Sequence, residues 1–137
     1  VSERFLARIR QSEGFSRLPY KCPAGRLTIG YGHNLEHGIS KAAAEFLLRE
    51  DAAHAERLVK SAFAWWPKLT EARLFVLVDM CFNMGIVGLK GFKKMLAACE
   101  AGDYETAARE MLASRWAAQV GKRARENAAM MKSGEWI

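Results

Sequence analysis

Glu13 has the setting in this chain best suited to acid chemistry. It ends a helix-forming stretch, where unsatisfied carbonyls carry partial negative charge and disfavour a carboxylate, and Phe15 and Leu18 follow closely enough to desolvate it. Both effects raise a carboxyl pKa, which gives a group that is protonated near neutral pH yet able to release its proton. Cleavage of a glycosidic bond requires such a donor. The same Glu-Gly pair also suits a solvated glutamate ahead of a helix-ending glycine, so Glu13 alone leaves both roles open. His33 is similarly divided between a catalytic imidazole and a side chain that ties a hairpin to a helix by hydrogen bonds.

The elements that must position these residues are legible as stops and starts. Ser2 is placed to cap a first helix carrying Phe5, Leu6 and Ile9 on one face, and Gly14 to end it. Cys22-Pro23-Ala24-Gly25 has Pro and Gly where a tight turn wants them, and Leu27-Thr28-Ile29 follows as a strand, which predicts a short isolated hairpin. The segment from His33 to Ser40 is too brief to hold further strand. Ser40 then caps a long helix with Ala44, Leu47, Leu48, Ala55, Leu58, Val59 and Ala62 near the 3.6 period. Trp65-Trp66-Pro67 interrupts it, and Thr70 restarts a helix whose Leu74, Leu77, Val78, Cys81 and Phe82 look like the centre of the core, up to Gly85. Further helices are predicted at about 90–100, 104–113 and 122–132, with Asp103 as a cap and Gly102 and Gly134 as terminators. The expected architecture is α+β and predominantly helical, a single domain over 1–137. A small helix-hairpin lobe (1–39), a connecting helix (40–62) and a helical bundle lobe (63–137) would leave a cleft in which a polymer could lie.

Bulk properties narrow the function classes. A chain of 137 residues that is 50% hydrophobic can bury a real core. Nothing approaches the roughly 18 consecutive apolar residues of a membrane span, and Val1 to Arg10 lacks the apolar run of a secretory signal, so a soluble chain is expected. Cys22, Cys81 and Cys99 are an odd set without metal-site spacing, which suggests reduced thiols, no metal and synthesis in the cytoplasm. Lys and Arg outnumber Asp and Glu by 21 to 15, which favours encounter with polyanions. The cations are scattered and no aromatic stacking platform accompanies them, which argues against nucleic acid. Gly30 and Gly32 read as backbone devices that permit tight bends or a close approach of a sugar chain, since no phosphate-loop Lys-Ser or Lys-Thr follows them.

Taken together, Glu13-Gly14, Tyr20, Gly25 and the run Thr28-Ile29-Gly30-Tyr31-Gly32-His33 resemble the signature of phage-type lysozymes, glycoside hydrolase family 24. The likeness continues through Phe82-Asn83-Met84-Gly85, Gly91-Phe92 and Ser114-Arg115-Trp116 to Arg123 and Trp136, in the family's order over nearly the whole chain. It implies a two-lobed lysozyme-like fold and a muramidase that hydrolyses the β-1,4 bond between N-acetylmuramic acid and N-acetylglucosamine, without a cofactor. By the same resemblance Glu13 is the general acid and Thr28 helps hold the attacking water. Cys22 occupies a position usually filled by aspartate, where it could orient water, act as a thiolate base or merely fill the place. Phe82, Met95 and Glu110 match substrate-contacting positions, with His33 and Asn83 beside them as binding candidates. Phe82 and Met95 also suit a core. The implied setting is phage lysis or a prophage remnant: a monomer without stable membrane insertion, made in the bacterial host cytoplasm and acting on peptidoglycan after release. Two alternatives remain open, a lytic transglycosylase that forms an anhydro sugar and a wall-binding module whose active site has decayed at Cys22.

Overall fold

The computed structural model describes every residue, Val1–Ile137, and its packing resolves into two units, Val1–Phe46 and Leu47–Ile137. The architecture is α+β and predominantly helical. In the first unit, α1 (Glu3–Glu13) begins where the Ser2 hydroxyl accepts from the Phe5 amide and stops at Gly14. Three antiparallel strands follow, β1 (Ser16–Lys21), β2 (Leu27–Gly30) and β3 (His33–Asn34), ordered β1-β2-β3. Tyr20 lies opposite Thr28 on one side of β2, and Asn34 lies opposite Thr28 on the other. Pro19, which cannot donate to a ladder, is tolerated because β1 is an edge strand.

The isolated hairpin expected from the sequence is therefore corrected to a three-stranded sheet, and the segment after His33 does contribute strand. Gly30 and Gly32, with φ of 69° and 77°, turn the chain sharply enough to lay His33 and Asn34 back along β2. Asn34 also caps a short 3-10 turn, Leu35–His37, its side chain accepting from the Glu36 amide.

Ser40 accepts from the Ala43 amide at 3.1 Å and starts α2 (Lys41–Ala62). Residues 41–50 are exposed on every side, so the apolar stripe read over the whole helix is corrected: Ala55 and Val59 are its buried members. A 3-10 turn at Trp66–Lys68 leads to α3 (Glu71–Lys90), capped by Thr70 and broken at Gly85, whose φ of 80° is not helical. Then come α4 (Lys93–Ala101), α5 (Tyr104–Leu112), α6 (Arg115–Val120) and α7 (Lys122–Ser133). Helix α6, with Ser114 as its cap, was not anticipated; at six residues it is too short to display a period.

The core belongs to Leu47–Ile137. Val76, Leu77, Met80, Leu89, Met95, Met111 and Met131 are fully enclosed, with Trp116 and Phe63 at its margin. Of the residues expected at its centre, Leu77 and Cys81 are buried, Leu74 and Val78 are half-buried, and Phe82 is exposed. By length and composition α3 could cross a membrane, but here it carries the central layer of that core. Polar side chains fasten the helices to one another. Arg123 forms a bidentate pair with Asp79 at 2.6 and 2.9 Å, and Asn127 donates to the same carboxylate at 2.7 Å. Arg73 lies over the Tyr104 ring and donates to the carbonyls of Met131 and Lys132, satisfying the end of α7.

Candidate active site

The position of Glu13 follows from the helix stop. Gly14 adopts φ 70° and its amide donates to the Arg10 carbonyl at 2.9 Å, so α1 closes on Glu13 and the chain turns away into β1. A carboxylate oxygen of Glu13 then lies where a Cβ on Gly32 would approach to 2.6 Å, with the carboxyl carbon at 2.7 Å. Gly32 is thus required twice, for its φ of 77° and for the missing side chain that lets the carboxyl rest against the backbone. The close approach expected at this glycine was that of a sugar chain; within the protein the group that lies against it is the Glu13 carboxyl.

The shielding expected of Phe15 and Leu18 is corrected. They are 67% and 60% exposed, and Phe15 packs instead on Tyr31, ring centroids 5.5 Å apart. Side chains so open to water cannot lower the dielectric around a neighbour. Glu13 is itself exposed, with the Gly32 backbone against its carboxyl group.

Thr28 and Cys22 meet at the opposite end of β2. Thr28 is only 4% exposed, the one buried polar side chain of the first unit, and its hydroxyl donates to the Arg26 carbonyl at 2.9 Å. Cys22 opens the turn into β2: its amide donates to the same carbonyl at 2.9 Å, and its own carbonyl accepts from Gly25 at 2.8 Å. The Arg26 backbone amide, followed by the Ala24 amide, the Thr28 hydroxyl and the Arg26 charge, holds the Cys22 thiol below its ordinary pKa, against a smaller upward push from burial. The Thr28 hydroxyl has one proton, so it serves the Arg26 carbonyl beside a neutral thiol and Cys22 beside a thiolate. The structure therefore brings Cys22 and Thr28 together and lowers the pKa of the thiol, with the Thr28 hydroxyl proton directed to the Arg26 carbonyl. Cys81 and Cys99 behave oppositely: burial raises both, Cys99 to about 12.

His33, on β3, uses Nε2 to donate to the Gly38 carbonyl at 2.8 Å. A carbonyl can only accept, so that nitrogen carries the proton, and the ring ties the third strand to the turn that precedes α2.

The binding candidates of the second unit fall into two groups. Phe82 is 43% exposed, and Asn83 accepts from the Trp116 indole nitrogen at 2.8 Å. Met95, 1% exposed, and Glu110 line a separate cavity of about 550 Å³ to which Phe82 and Asn83 do not contribute. Met95 is thus a core residue that also floors a cavity. The sequence reading passed over Lys93 and Lys94 on the cavity wall; the available signal was a pair of cations opening a helix that lacks a side-chain cap. No three His, Cys, Asp or Glu side chains gather as a metal would need.

The chain is similar in sequence to known proteins. A sequence model described as phage lysozyme matches residues 10–130. An endolysin of Acyrthosiphon pisum secondary endosymbiont phage 1 is 34% identical over 127 residues, spanning 90% of this chain and 85% of that one. The pre-baseplate central spike protein Gp5 of Enterobacteria phage T4 is 34% identical over 89 residues, which are 63% of this chain and 16% of the spike protein.

Proposed function

Because the chain belongs to the phage lysozyme family, we propose that it hydrolyses the β-1,4 bond between N-acetylmuramic acid and N-acetylglucosamine in bacterial peptidoglycan. Membership makes it a glycosidase-type lytic enzyme; the bond and the residues are our reading. Glu13 gives its proton to the glycosidic oxygen as the C–O bond breaks. A water held by Thr28 and deprotonated or oriented by Cys22 supplies the new C–O bond at the anomeric carbon; one of its protons leaves to the sulfur or to solvent and the other stays on the new hydroxyl. His33, Phe82, Asn83, Met95 and Glu110 are the proposed sugar-chain contacts. The enzyme works as a monomer, made in the bacterial host cytoplasm and acting on the wall after release.

One observation carries this reading: α1 stops where it places the Glu13 carboxyl against Gly32, in the turn that leaves the strand bearing Thr28. A carboxyl positioned by two glycines and exposed on one side is accessible to a glycosidic oxygen. Removing its proton should lower wall clearance by at least ~100-fold in Glu13→Gln, the scale of a lost general acid. Equal clearing by the wild type and the variant would end the assignment. The same preparations, with Cys22→Ser and Cys22→Asp, decide what the sulfur does. Thiolate chemistry requires the serine variant to fall and the aspartate variant to recover activity, whereas full activity in the serine variant rules it out. Hydrolysis requires reducing ends in the digest; anhydro products, lighter by one water, would replace this reading with the transglycosylase.

A further inference from the structure

Trp136 belongs neither to the enclosed core nor to the proposed cleavage. It is 53% exposed, and its ring leans on Phe75 with the centroids 5.0 Å apart. The indole stands between two hollows of the second unit, one of about 450 Å³ against α2 and α3 and one of about 500 Å³ against α3 and α7. Both have the size of a small-ligand site, commonly about 300–1,000 Å³. In the larger, Asp79, Arg123 and Asn127 are already bonded to one another and have little left to offer. The smaller differs. Its floor is apolar, made by the half-buried Leu74, Phe75 and Val78. On its rim Arg49 is exposed and makes no ion pair; the pairs in the molecule are Arg10–Glu3, Lys60–Glu56, Lys122–Glu126, Arg123–Asp79 and Lys132–Glu105. Glu56 uses one carboxylate oxygen on Lys60 at 2.9 Å, and Glu71 accepts a long bond of 3.4 Å from the Trp136 indole nitrogen. Both carboxylates therefore keep acceptor capacity.

An apolar floor, an open indole wall and a rim with both donors and acceptors suit a neutral ligand that has an apolar face and a polar edge. An anion would meet Glu56 and Glu71, and a cation would meet Arg49. A pyranose ring has the matching shape, with C–H groups on its faces and hydroxyl or acetamido groups around its edge. We infer that this hollow is a second, non-catalytic glycan site: a sugar ring stacks on Trp136, its hydroxyls donate to Glu71 and Glu56, and Arg49 donates to its oxygens. The source of that sugar, the wall polymer, rests on the reading of the chain as a peptidoglycan hydrolase. A strand held at two places leaves more slowly than one held at either, so Trp136 raises occupancy on polymer without touching the reacting atoms.

A binding measurement separates this inference from the catalytic reading. The probe is the β-1,4-linked tetramer of N-acetylglucosamine, titrated into the full chain carrying Glu13→Gln and followed by amide and indole N–H chemical shifts. Shifts are expected in the Trp136 indole N–H and in residues 49–56 and 71–78. Affinity there should fall ~5-fold or more in Trp136→Ala and ~2-fold or more in Arg49→Ala, and stay within ~2-fold in Trp136→Phe. Arg49 is exposed, so its variant keeps the test decisive if Trp136→Ala does not fold. No binding, or shifts confined to the surroundings of Glu13 and Thr28, overturns the inference, as does a stem peptide that shifts Trp136 where the sugar does not. A second arm uses cleavage of glycan strands stripped of peptide. Trp136→Ala in the otherwise wild-type chain should raise KM ~5-fold with kcat unchanged, and Trp136→Phe should restore it. A fall in kcat at unchanged KM would make Trp136 a residue of the fold or of the cleavage site and overturn the inference. If the wild type cleaves no glycan, the hydrolase reading fails while the titration still decides this hollow.

Discussion

Val1–Phe46 buries the hydroxyl-bearing Thr28 and no apolar side chain, whereas every enclosed apolar residue lies in Leu47–Ile137. The first unit leaves Phe5, Ile9, Phe15, Leu18 and Tyr31 to solvent and takes its shape from backbone devices: the Ser2 cap, the glycine turns at 14, 30 and 32, and the His33 bond to Gly38. The second is held by side chains, with α3 threaded through a methionine-rich core and the Asp79, Arg123 and Asn127 network at its edge. A region built from turns and caps can place a carboxyl and a thiol in water without the cost of burying charge. A region built from packing supplies free energy in proportion to the apolar area it removes from water. On the proposed function, the contrast separates residues whose loss should abolish reaction from residues whose loss should unfold the chain.

The largest effect expected from this contrast is in thiol reactivity. Cys22 is held low by its donors and Cys99 is raised to about 12 by burial, so at pH 8 the thiolate fraction of Cys22 far exceeds that of Cys99. Iodoacetamide should label Cys22 in the native protein and Cys99 only after unfolding, as read by peptide mass spectrometry. Labelling of Cys22 should fall as pH drops through its lowered pKa. In linkage terms a depressed acid stabilises the fold fully above its unfolded value and loses that contribution as pH falls through the folded value. Equal labelling of the two cysteines in the folded protein would break the contrast.

These two cysteines also show what could be read in advance. Local signals were legible because a cap or a glycine stop acts on its own few residues: Ser2, Gly14, Ser40, Thr70, Asp103, Gly102 and Gly134 all stand where the sequence places them. The family signature likewise singled out Cys22 with Thr28, which the turn brings together. Burial was harder to read. Phe15, Leu18, Phe82 and the leucines at 47 and 48 are apolar, the last three at helical spacing, yet exposed, because exposure depends on what covers a face and not on the face itself. The third strand was missed because a two-residue ladder needs only a turn to form, and carries no pattern.

In the packed unit, Leu77→Ala should cost about 3 kcal/mol, the usual toll of a buried leucine truncated to leave a void. Chemical denaturation would show it as a lower midpoint with unchanged slope, while wall clearance per folded molecule stays near the wild-type rate. A stability loss under about 1 kcal/mol would mean that the core is not where the free energy lies.

The smallest effect sharpens the contrast from the other side. Gly32→Ala places a methyl group against the Glu13 carboxyl at a φ that alanine resists, so clearance should fall ~10-fold for a stability cost of about 1 kcal/mol. Should the variant lose stability and keep its rate, Gly32 would be a structural turn residue only, with no part in seating the Glu13 carboxyl.

Trp116 has a further consequence through Asn83. An amide side chain can ordinarily give and take hydrogen bonds, but here its oxygen is engaged by the indole N–H, which also fixes which end is which. The Asn83 amide nitrogen is left free to donate, and the oxygen keeps one lone pair beside the indole bond. A molecule meeting that nitrogen must bring lone pairs, as an acetamido carbonyl or a ring oxygen would, and a hydroxyl could engage it only by turning its proton away. A buried tryptophan thereby sets the polarity of a contact that it never makes itself.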